Sequence, residues 1–120
     1  MRIITKYTNL GATPAIDAYI ENKLGSLKKF IKPWEVNAEI IVRVEIARTT
    51  NHHNKGDIFY AEANIDALGK LIRATHEDWD IRVAIDQMKD RLQTEIKKFN
   101  AKRRPQDSKG VAVNRKIREK

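Results

Sequence analysis

Residues 36–46 read VNAEIIVRVEI, and this stretch decides the fold class of the chain. Apolar and polar side chains alternate along it with a period of two, and only Ile41 departs from the alternation. That period is typical of a β-strand with one buried and one exposed face. The stretch therefore predicts a long strand.

Two further strands follow downstream. Residues 59–65 alternate in the same way, and Asp66–Gly69 can turn the chain into another strand at Lys70–His76. The polar segment Arg48–Gly56 connects the first of these strands to the second. Because the turns are short, we expect the three strands to pair as an antiparallel meander.

Upstream of the meander, the sequence predicts a short strand and a helix. Arg2–Thr8 is rich in Ile, Thr and Tyr and ends at a turn sequence. Thr13 is a suitable N-cap, Pro14 is tolerated at the first helical position, and Pro33 prevents continuation. The apolar residues that recur at helical spacing are Ile16, Tyr19, Ile20, Leu24, Leu27 and Ile31.

A second, longer helix is predicted from Asp80 to about Ala101. Asp78 or Asp80 can cap its start, where a carboxylate also suits the helix dipole. Its buried stripe, spaced by three and four, consists of Ile81, Ile85, Met88, Leu92, Ile96 and Phe99.

These elements give the order β-α-β-β-β-α, an α+β sandwich with a four-stranded sheet and two helices on one face. We expect one domain at residues 1–104, because a chain of 120 residues can bury a single core. Residues 105–120 are mostly polar or charged, and we expect a flexible basic tail.

Composition limits the function classes. The chain has no cysteine, so disulfides, zinc-thiolate sites and cysteine nucleophiles are excluded. No secretory signal and no apolar run of the ~18 residues of a membrane span is visible. We expect a cytoplasmic protein.

The net charge of +8 is concentrated at one end of the chain. Residues 1–96 carry equal numbers of basic and acidic side chains, whereas residues 97–120 carry 10 basic and 2 acidic ones. Such an end suggests a polyanionic partner, either nucleic acid or an anionic membrane surface. A tail that is merely solvated is the alternative.

The sequence offers little for catalysis. His52 and His53 could be considered as metal ligands with Asp57, but adjacent side chains seldom converge on one ion. His76 lacks a companion acid or nucleophile, and no nucleophile elbow, phosphate loop or metalloprotease motif occurs. We expect no enzyme activity, no metal, no cofactor and no small-molecule substrate.

Basic side chains flank the apolar stripe of the second helix on both sides. At 100° per residue, Arg91, Lys98 and Lys102 fall within about 40° of one another, and a second row lies across the stripe. Such rows can follow a sugar-phosphate backbone by replacing its counterions. The candidate RNA-binding residues are Lys23, Lys28, Lys29, Arg82, Lys89, Arg91, Lys97, Lys98, Lys102, Arg103 and Arg104.

An ordinary solvated surface is the alternative for both helices. Asp86 and Asp90 can pair with neighbouring cations of the second helix. The lysines near the end of the first helix also suit its dipole. Trp34 and Trp79 stand at element boundaries and are interpreted as packing residues. No aromatic pair resembles a base-stacking platform, so binding should depend on shape and phosphate contact.

Three stretches resemble the ribosome hibernation promoting factors, which include the ribosome-associated inhibitor once described as a sigma-factor modulation protein. They are TPAI at 13–16 leading to YIENKL at 19–24, AEA at 61–63, and DIRVAID at 80–86 leading to Arg91 and Leu92. The resemblance covers about residues 2–102. Arg82 stands where the family usually has tyrosine, and Thr94 and Glu95 replace an Arg-Gln pair.

The resemblance implies a domain similar to double-stranded RNA-binding folds that lodges in the messenger and transfer RNA channel of the small ribosomal subunit and so inhibits translation. Carried over by position, Lys23, Lys29, Arg91, Lys98 and Lys102 would face ribosomal RNA. The chain resembles the family's short forms, so we expect a free monomer that does not pair ribosomes unaided. The alternatives are a general double-stranded RNA binder and, less favoured, a small RNA-processing enzyme.

Overall fold

The computed structural model describes residues 1–36, 38–49 and 56–107, and of residues 104–107 it describes the backbone. Within these residues the chain forms four strands, three α-helices and one 3-10 turn. The strands are β1 (Arg2–Thr8), β2 (Ile41–Thr49), β3 (Ile58–Ala67) and β4 (Lys70–Asp78). The helices are α1 (Pro14–Gly25), α2 (Lys28–Ile31) and α3 (Ile81–Asp107), and the 3-10 turn is Lys32–Val36.

The strands form one mixed sheet in the order β1-β2-β3-β4. β2, β3 and β4 pair antiparallel, which confirms the predicted meander. β1 pairs parallel to β2, because helical segments carry the chain back to the sheet's other end before β2 begins. One row across the sheet runs through Thr5, Val44, Ala63 and Ala74.

One face of the sheet is covered by the helices, as the α+β prediction requires. Ile20 and Leu24 of α1 join the inner side chains of the strands in a single buried cluster. The stripe of α3 is fully buried at its centre, at Ile85, Met88, Leu92 and Ile96. Burial of this stripe leaves the remaining sides of α3 available to solvent or a partner.

The prediction of one uninterrupted first helix is wrong. α1 ends at Gly25, and Ser26 closes it by donating its hydroxyl to the carbonyl of Lys23 at 2.7 Å. Glycine and serine are poor in helix interiors, so the chain turns here before α2 begins. The turn keeps Leu27 and Ile31 buried and brings α2 against α3.

The predicted start of the second strand at Val36 is also wrong. Val36 belongs to the 3-10 turn and is 78% exposed, and β2 begins at Ile41. The Glu35 carboxylate accepts hydrogen bonds from the Ile40 backbone and the N-terminal amine. The bond from Ile40 stabilises a turn ahead of β2 rather than an earlier start of the strand. Asn37 lies outside the described residues. The predicted inner face is correct from Ile40 onward.

The predicted helix starts are confirmed, whereas the predicted end of the second helix is too early. Thr13 accepts a hydrogen bond from the Ile16 backbone, and Asp80 accepts one from the Arg82 backbone at 2.8 Å. α3 continues past Ala101 and through Pro105, because the intervening residues are good helix formers and the proline affects only the last turn. The first three residues of the predicted tail are thus helical, and residues 108–120 lie outside the described part.

Candidate nucleic-acid interface

The structure places the basic residues of α3 on two sides of the helix. On the side of β4, Arg91, Lys98 and Lys102 line two adjoining grooves of about 320 and 310 Å³. We call these three residues the β4-side row. Lys70 of β4 lines the second groove, although no sequence pattern indicates it, and Glu95 lines both. Arg73 also borders both grooves, but its guanidinium pairs with Glu62 on the other face of the sheet. Helix and strand therefore share a surface on which basic side chains outnumber acidic ones.

On the other side, α3 faces α1 and α2 across a seam that contains two aromatic rings. Lys23 and Arg82 lie 5.5 and 4.9 Å from the centroid of the Tyr19 ring. Lys29 and Lys97 lie 5.2 and 5.3 Å from the centroid of the Phe30 ring. These separations suit cation-π contacts. Each ring therefore holds one cation from the shorter helices and one from α3.

The cluster around Tyr19 contains a carboxylate. Tyr19 donates a hydrogen bond of 2.6 Å to Asp86, and the Lys23 ammonium lies 3.4 Å from the same carboxylate oxygen. The hydrogen bond to Asp86, with partial burial, raises the pKa of Tyr19 above its ordinary value. Asp86 thus neutralises a lysine of α1 rather than a cation of its own helix.

The cluster around Phe30 is held by an amide. Asn100 donates from Nδ2 to the Phe30 carbonyl at 3.1 Å and accepts from the Trp34 indole at 2.9 Å. Trp34 also packs edge-on against Phe99, with ring centroids 5.2 Å apart. Because Asn100 looks like an ordinary polar residue of α3, no sequence signal indicates this role.

The remaining candidate residues differ in how available their charges are. Lys89 has a side chain that is only 17% exposed and lies 3.7 Å from Asp90. Lys98 lies 3.5 Å from Glu95. Arg103 lies over the Phe99 ring at 5.7 Å, and the side chain of Arg104 lies outside the described part.

Most of the candidate cations have no acidic neighbour. Among the described side chains, no carboxylate oxygen lies within 4.0 Å of Lys28, Lys29, Arg82, Arg91, Lys97, Lys102 or Arg103. The pKa of Glu35 is lowered mainly by its hydrogen bond from the N-terminal amine, and the charge of Lys28 lowers it further at longer range. These seven side chains leave an excess of positive charge on the helical side of the molecule.

The opposite face of the sheet has a different character. Glu62 accepts hydrogen bonds from Tyr60 and Asn64 and pairs with Arg73 at 3.2 Å. Hydrogen bonds from Tyr60 and then Asn64 hold the pKa of Glu62 below its ordinary value. Arg2 at one edge lies 3.6 Å from Glu39. Lys6 and Arg43 on this face also have no carboxylate oxygen within 4.0 Å among the described side chains, but Glu39, Glu62 and the other acids here balance the basic residues, so this face lacks the charge excess of the helices.

The other residues considered for chemistry do not assemble into a site. His52 and His53 lie outside the described residues, and His76 is half-buried at the end of β4. No group of three or more potential metal ligands occurs in the described ranges. Trp34 is buried as predicted, but Trp79 is 54% exposed, so its interpretation as a packing residue is wrong.

None of the helices in the described part of the chain is both long enough and apolar enough to cross a bilayer.

A small α+β domain with one covered sheet face and a cationic helical side has the charge distribution that is typical of compact domains that bind polyanions. The family model of the sigma 54 modulation protein / S30EA ribosomal protein matches residues 3–104, and the chain belongs to this family. The family consists of ribosome-associated factors and is not a family of enzymes.

Three known proteins illustrate the similarity. A ribosome hibernation promotion factor from Picosynechococcus sp. is 25% identical over 103 residues, which cover 85% of this chain and 50% of that protein. The chain thus spans about half the length of this curated relative.

Two solved structures share the fold. The N-terminal domain of Thermus thermophilus Protein Y superposes with a TM-score of 0.61 at 33% identity, covering 82% of this chain and 94% of that one. A ribosomal subunit interface protein from Coxiella burnetii has a TM-score of 0.64 at 21% identity, covering 84% of this chain and 99% of that one.

Proposed function

We propose that this protein binds the small ribosomal subunit, alone or within the whole ribosome, and inhibits translation by occupying the messenger and transfer RNA channel. Its family consists of ribosome-associated factors, and its curated relative is a hibernation promotion factor. The contact is made through the helical side, where α1, α2 and α3 present their basic residues to ribosomal RNA.

The observation that carries this proposal is the set of seven cations without an acidic neighbour on that side. A cation already paired with a carboxylate must break that pair before it can bind a phosphate. An unpaired cation needs only to displace water and counterions, and the counterions released from RNA favour binding. The charge excess therefore favours a polyanionic partner and indicates that this partner contacts the helical side.

The aromatic rings of the seam support a preorganised surface. Tyr19 and Phe30 each restrict the motion of two cations, and Asp86 restricts Lys23 further. Long basic side chains lose conformational entropy when they bind, and prior ordering reduces that loss. A surface of this kind suits a folded RNA groove of fixed shape better than a flexible single strand.

Ribosome pelleting across a range of salt concentrations tests the proposal. If all seven unpaired cations contact phosphates, the logarithm of the association constant should fall with the logarithm of salt concentration with a slope of about −5 to −6. Equal recovery of the protein with ribosomes at low and high salt would contradict the electrostatic mechanism.

A second measurement tests the channel itself. Bound protein should be displaced by messenger RNA with initiator transfer RNA, and purified protein should reduce cell-free peptide synthesis in proportion to ribosome occupancy. Synthesis that is unaffected at a large molar excess of protein would exclude the inhibitory role. Comparable affinity for an arbitrary RNA duplex and for ribosomes would instead indicate a general double-stranded RNA binder.

A further inference from the structure

Lys29 of α2 and Lys97 of α3 share the ring of Phe30, with ammonium-to-centroid distances of 5.2 and 5.3 Å. In the described part of the chain, neither ammonium has a carboxylate oxygen within 4.0 Å. The Tyr19 ring also holds two cations, but there Asp86 balances one of them. The Phe30 cluster is therefore the place in the seam where, among the described side chains, two cations share one ring without a neighbouring carboxylate.

The backbone and side chains around Phe30 are held in place from α3. Asn100 donates to the Phe30 carbonyl and accepts from the Trp34 indole, so one amide joins α2, the 3-10 turn and α3. Trp34 is 4% exposed and packs against Phe99, three residues after Ile96 of the buried stripe. These contacts determine where Lys29 stands relative to Lys97.

Because the ammonium groups lie 5.2 and 5.3 Å from the same centroid, they are at most about 10.5 Å apart. Both side chains are exposed, and the attraction of each ammonium to the ring at an exposed site is weak, so a small change of rotamer can bring both to one anion. An anion within reach of both would be attracted to two positive charges. A backbone phosphate has two oxygens that are free to accept hydrogen bonds, so it can meet one ammonium with each. The arrangement therefore fits a phosphodiester.

We propose that Lys29 and Lys97 form a clamp for one backbone phosphate of RNA, and that Asn100 is the residue that positions this clamp. The inference rests on the proposed function, because the phosphate belongs to the RNA that the helical side binds. It adds Asn100 to that site and joins Lys29 and Lys97 into one unit.

A double-mutant cycle of ribosome binding tests the clamp. Lys29→Ala and Lys97→Ala should each lower the affinity several-fold and reduce the salt slope by about one unit or less. Because both lysines bind the same phosphate, the effect of the double variant should be clearly smaller than the product of the two single effects. Lys29→Ala and Arg91→Ala change residues that are distant from each other, so their losses of ribosome affinity should multiply when the two substitutions are combined.

Two charge-matched variants control for net charge. Lys6 of β1 and Arg43 of β2 are exposed on the other face of the sheet. Lys6→Ala and the Lys6→Ala/Arg43→Ala double variant remove the same charges as the single and double clamp variants. We expect them to change the affinity by less than twofold.

The positioning role of Asn100 has its own readout. In an Asn100→Ala background, Lys97→Ala should cost little further affinity, whereas Arg91→Ala should cost as much as it does in the wild-type protein. A purely structural loss would lower stability and leave the effect of Lys97→Ala unchanged, which would overturn the role of Asn100. The lysine cycle does not depend on this variant, so the clamp is tested even if Asn100→Ala folds poorly.

The outcomes separate the clamp from the proposed function. If the wild-type protein binds ribosomes with a steep salt dependence but Lys29→Ala and Lys97→Ala behave like Lys6→Ala, the clamp is wrong and the function stands. If the affinity losses of Lys29→Ala and Lys97→Ala multiply in the double variant, the clamp is also wrong. If the wild-type protein does not bind ribosomes at all, both are wrong.

Discussion

Tyr19 of α1 donates its hydroxyl to Asp86 of α3 across 2.6 Å, and Lys23 reaches the same carboxylate oxygen at 3.4 Å. This contact joins two helices that are far apart in sequence. It also sets the charge of the seam, because Asp86 offsets part of the positive charge that Lys23 and Arg82 place around Tyr19. We therefore expect this one carboxylate to stabilise the fold and to weaken the proposed binding of RNA.

Replacing Asp86 by Asn should therefore separate the two effects. Lys23 loses its partner and becomes available to phosphate, so we expect ribosome affinity at low salt to rise several-fold. The hydrogen bond from Tyr19 loses its charged acceptor, so the free energy of unfolding should fall by about 1 kcal/mol. Ribosome pelleting and denaturant unfolding measure the two quantities.

Tyr19→Phe is the matched control for this pair. It removes the hydroxyl but keeps the ring and every charge, so stability should fall by about 1 kcal/mol. Affinity should stay within twofold of the wild-type value. Weaker binding by Asp86→Asn would show that ordering of Lys23 matters more than its neutralisation.

Charge reversal of the β4-side row, Arg91, Lys98 and Lys102 to Glu, should weaken ribosome binding far more than it destabilises the fold. All three side chains are exposed, so the free energy of unfolding should change by less than about 1 kcal/mol. If each residue contacts one phosphate, the salt slope should become shallower by about 2 to 3 units. Ribosome pelleting at several salt concentrations measures this slope.

The control for this variant reverses Arg2, Lys6 and Arg43, which are exposed on the other face of the sheet and change the net charge equally. We expect a much smaller loss of affinity from long-range electrostatics alone. Equal losses in the two triple variants would mean that net charge, and not a defined contact surface, governs binding.

The elements that local patterns determine were predictable from the sequence. The alternation of Val42, Val44 and Ile46 identified the buried face of β2, and Thr13 identified the start of α1. The break at Gly25 was not predicted, because the apolar spacing continues through Leu27 and Ile31 on both sides of the turn. Periodicity records which residues are buried and not whether the helix between them is continuous.

The candidate site was predictable only in part, for a related physical reason. A single helical wheel separates Arg91 from Arg82, and the structure places them on different sides of α3. A helical wheel shows the residues of one helix only, so it could not predict the contact of Asp86 with Lys23 of another helix. The amide of Asn100 between α2 and α3 has no sequence signature at all.

The network around Glu62 predicts a pH dependence of stability. Hydrogen bonds from Tyr60 and Asn64 hold the pKa of this carboxyl below its ordinary value, which is about 4.3 in the unfolded chain. The stabilisation is therefore fully present above about pH 4.5 and is lost as the pH falls through the lower pKa of the folded state. Glu62→Gln should cost about 1–3 kcal/mol at neutral pH.

Denaturant unfolding of both proteins between pH 7 and pH 3 measures this dependence. The difference in stability between the wild-type protein and Glu62→Gln should narrow below about pH 4. Glu77→Gln, on the same face of the sheet but exposed, should show a small difference throughout. A difference for Glu62→Gln that is constant with pH would show that its ionisation does not stabilise the fold.

The turn between β3 and β4 contains a strained residue whose replacement should stabilise the protein. Leu68 has a φ of 53° and is followed by Gly69 with a φ of 95°, so both central residues of this two-residue hairpin are left-handed. Asparagine adopts this conformation more readily than leucine, and Leu68 is 48% exposed, so little packing is lost. Leu68→Asn should raise the free energy of unfolding by about 0.5–1 kcal/mol. Leu71 lies in regular strand conformation, so Leu71→Asn should give no such gain. A lower Tm for Leu68→Asn would mean that the packing of this leucine outweighs the strain.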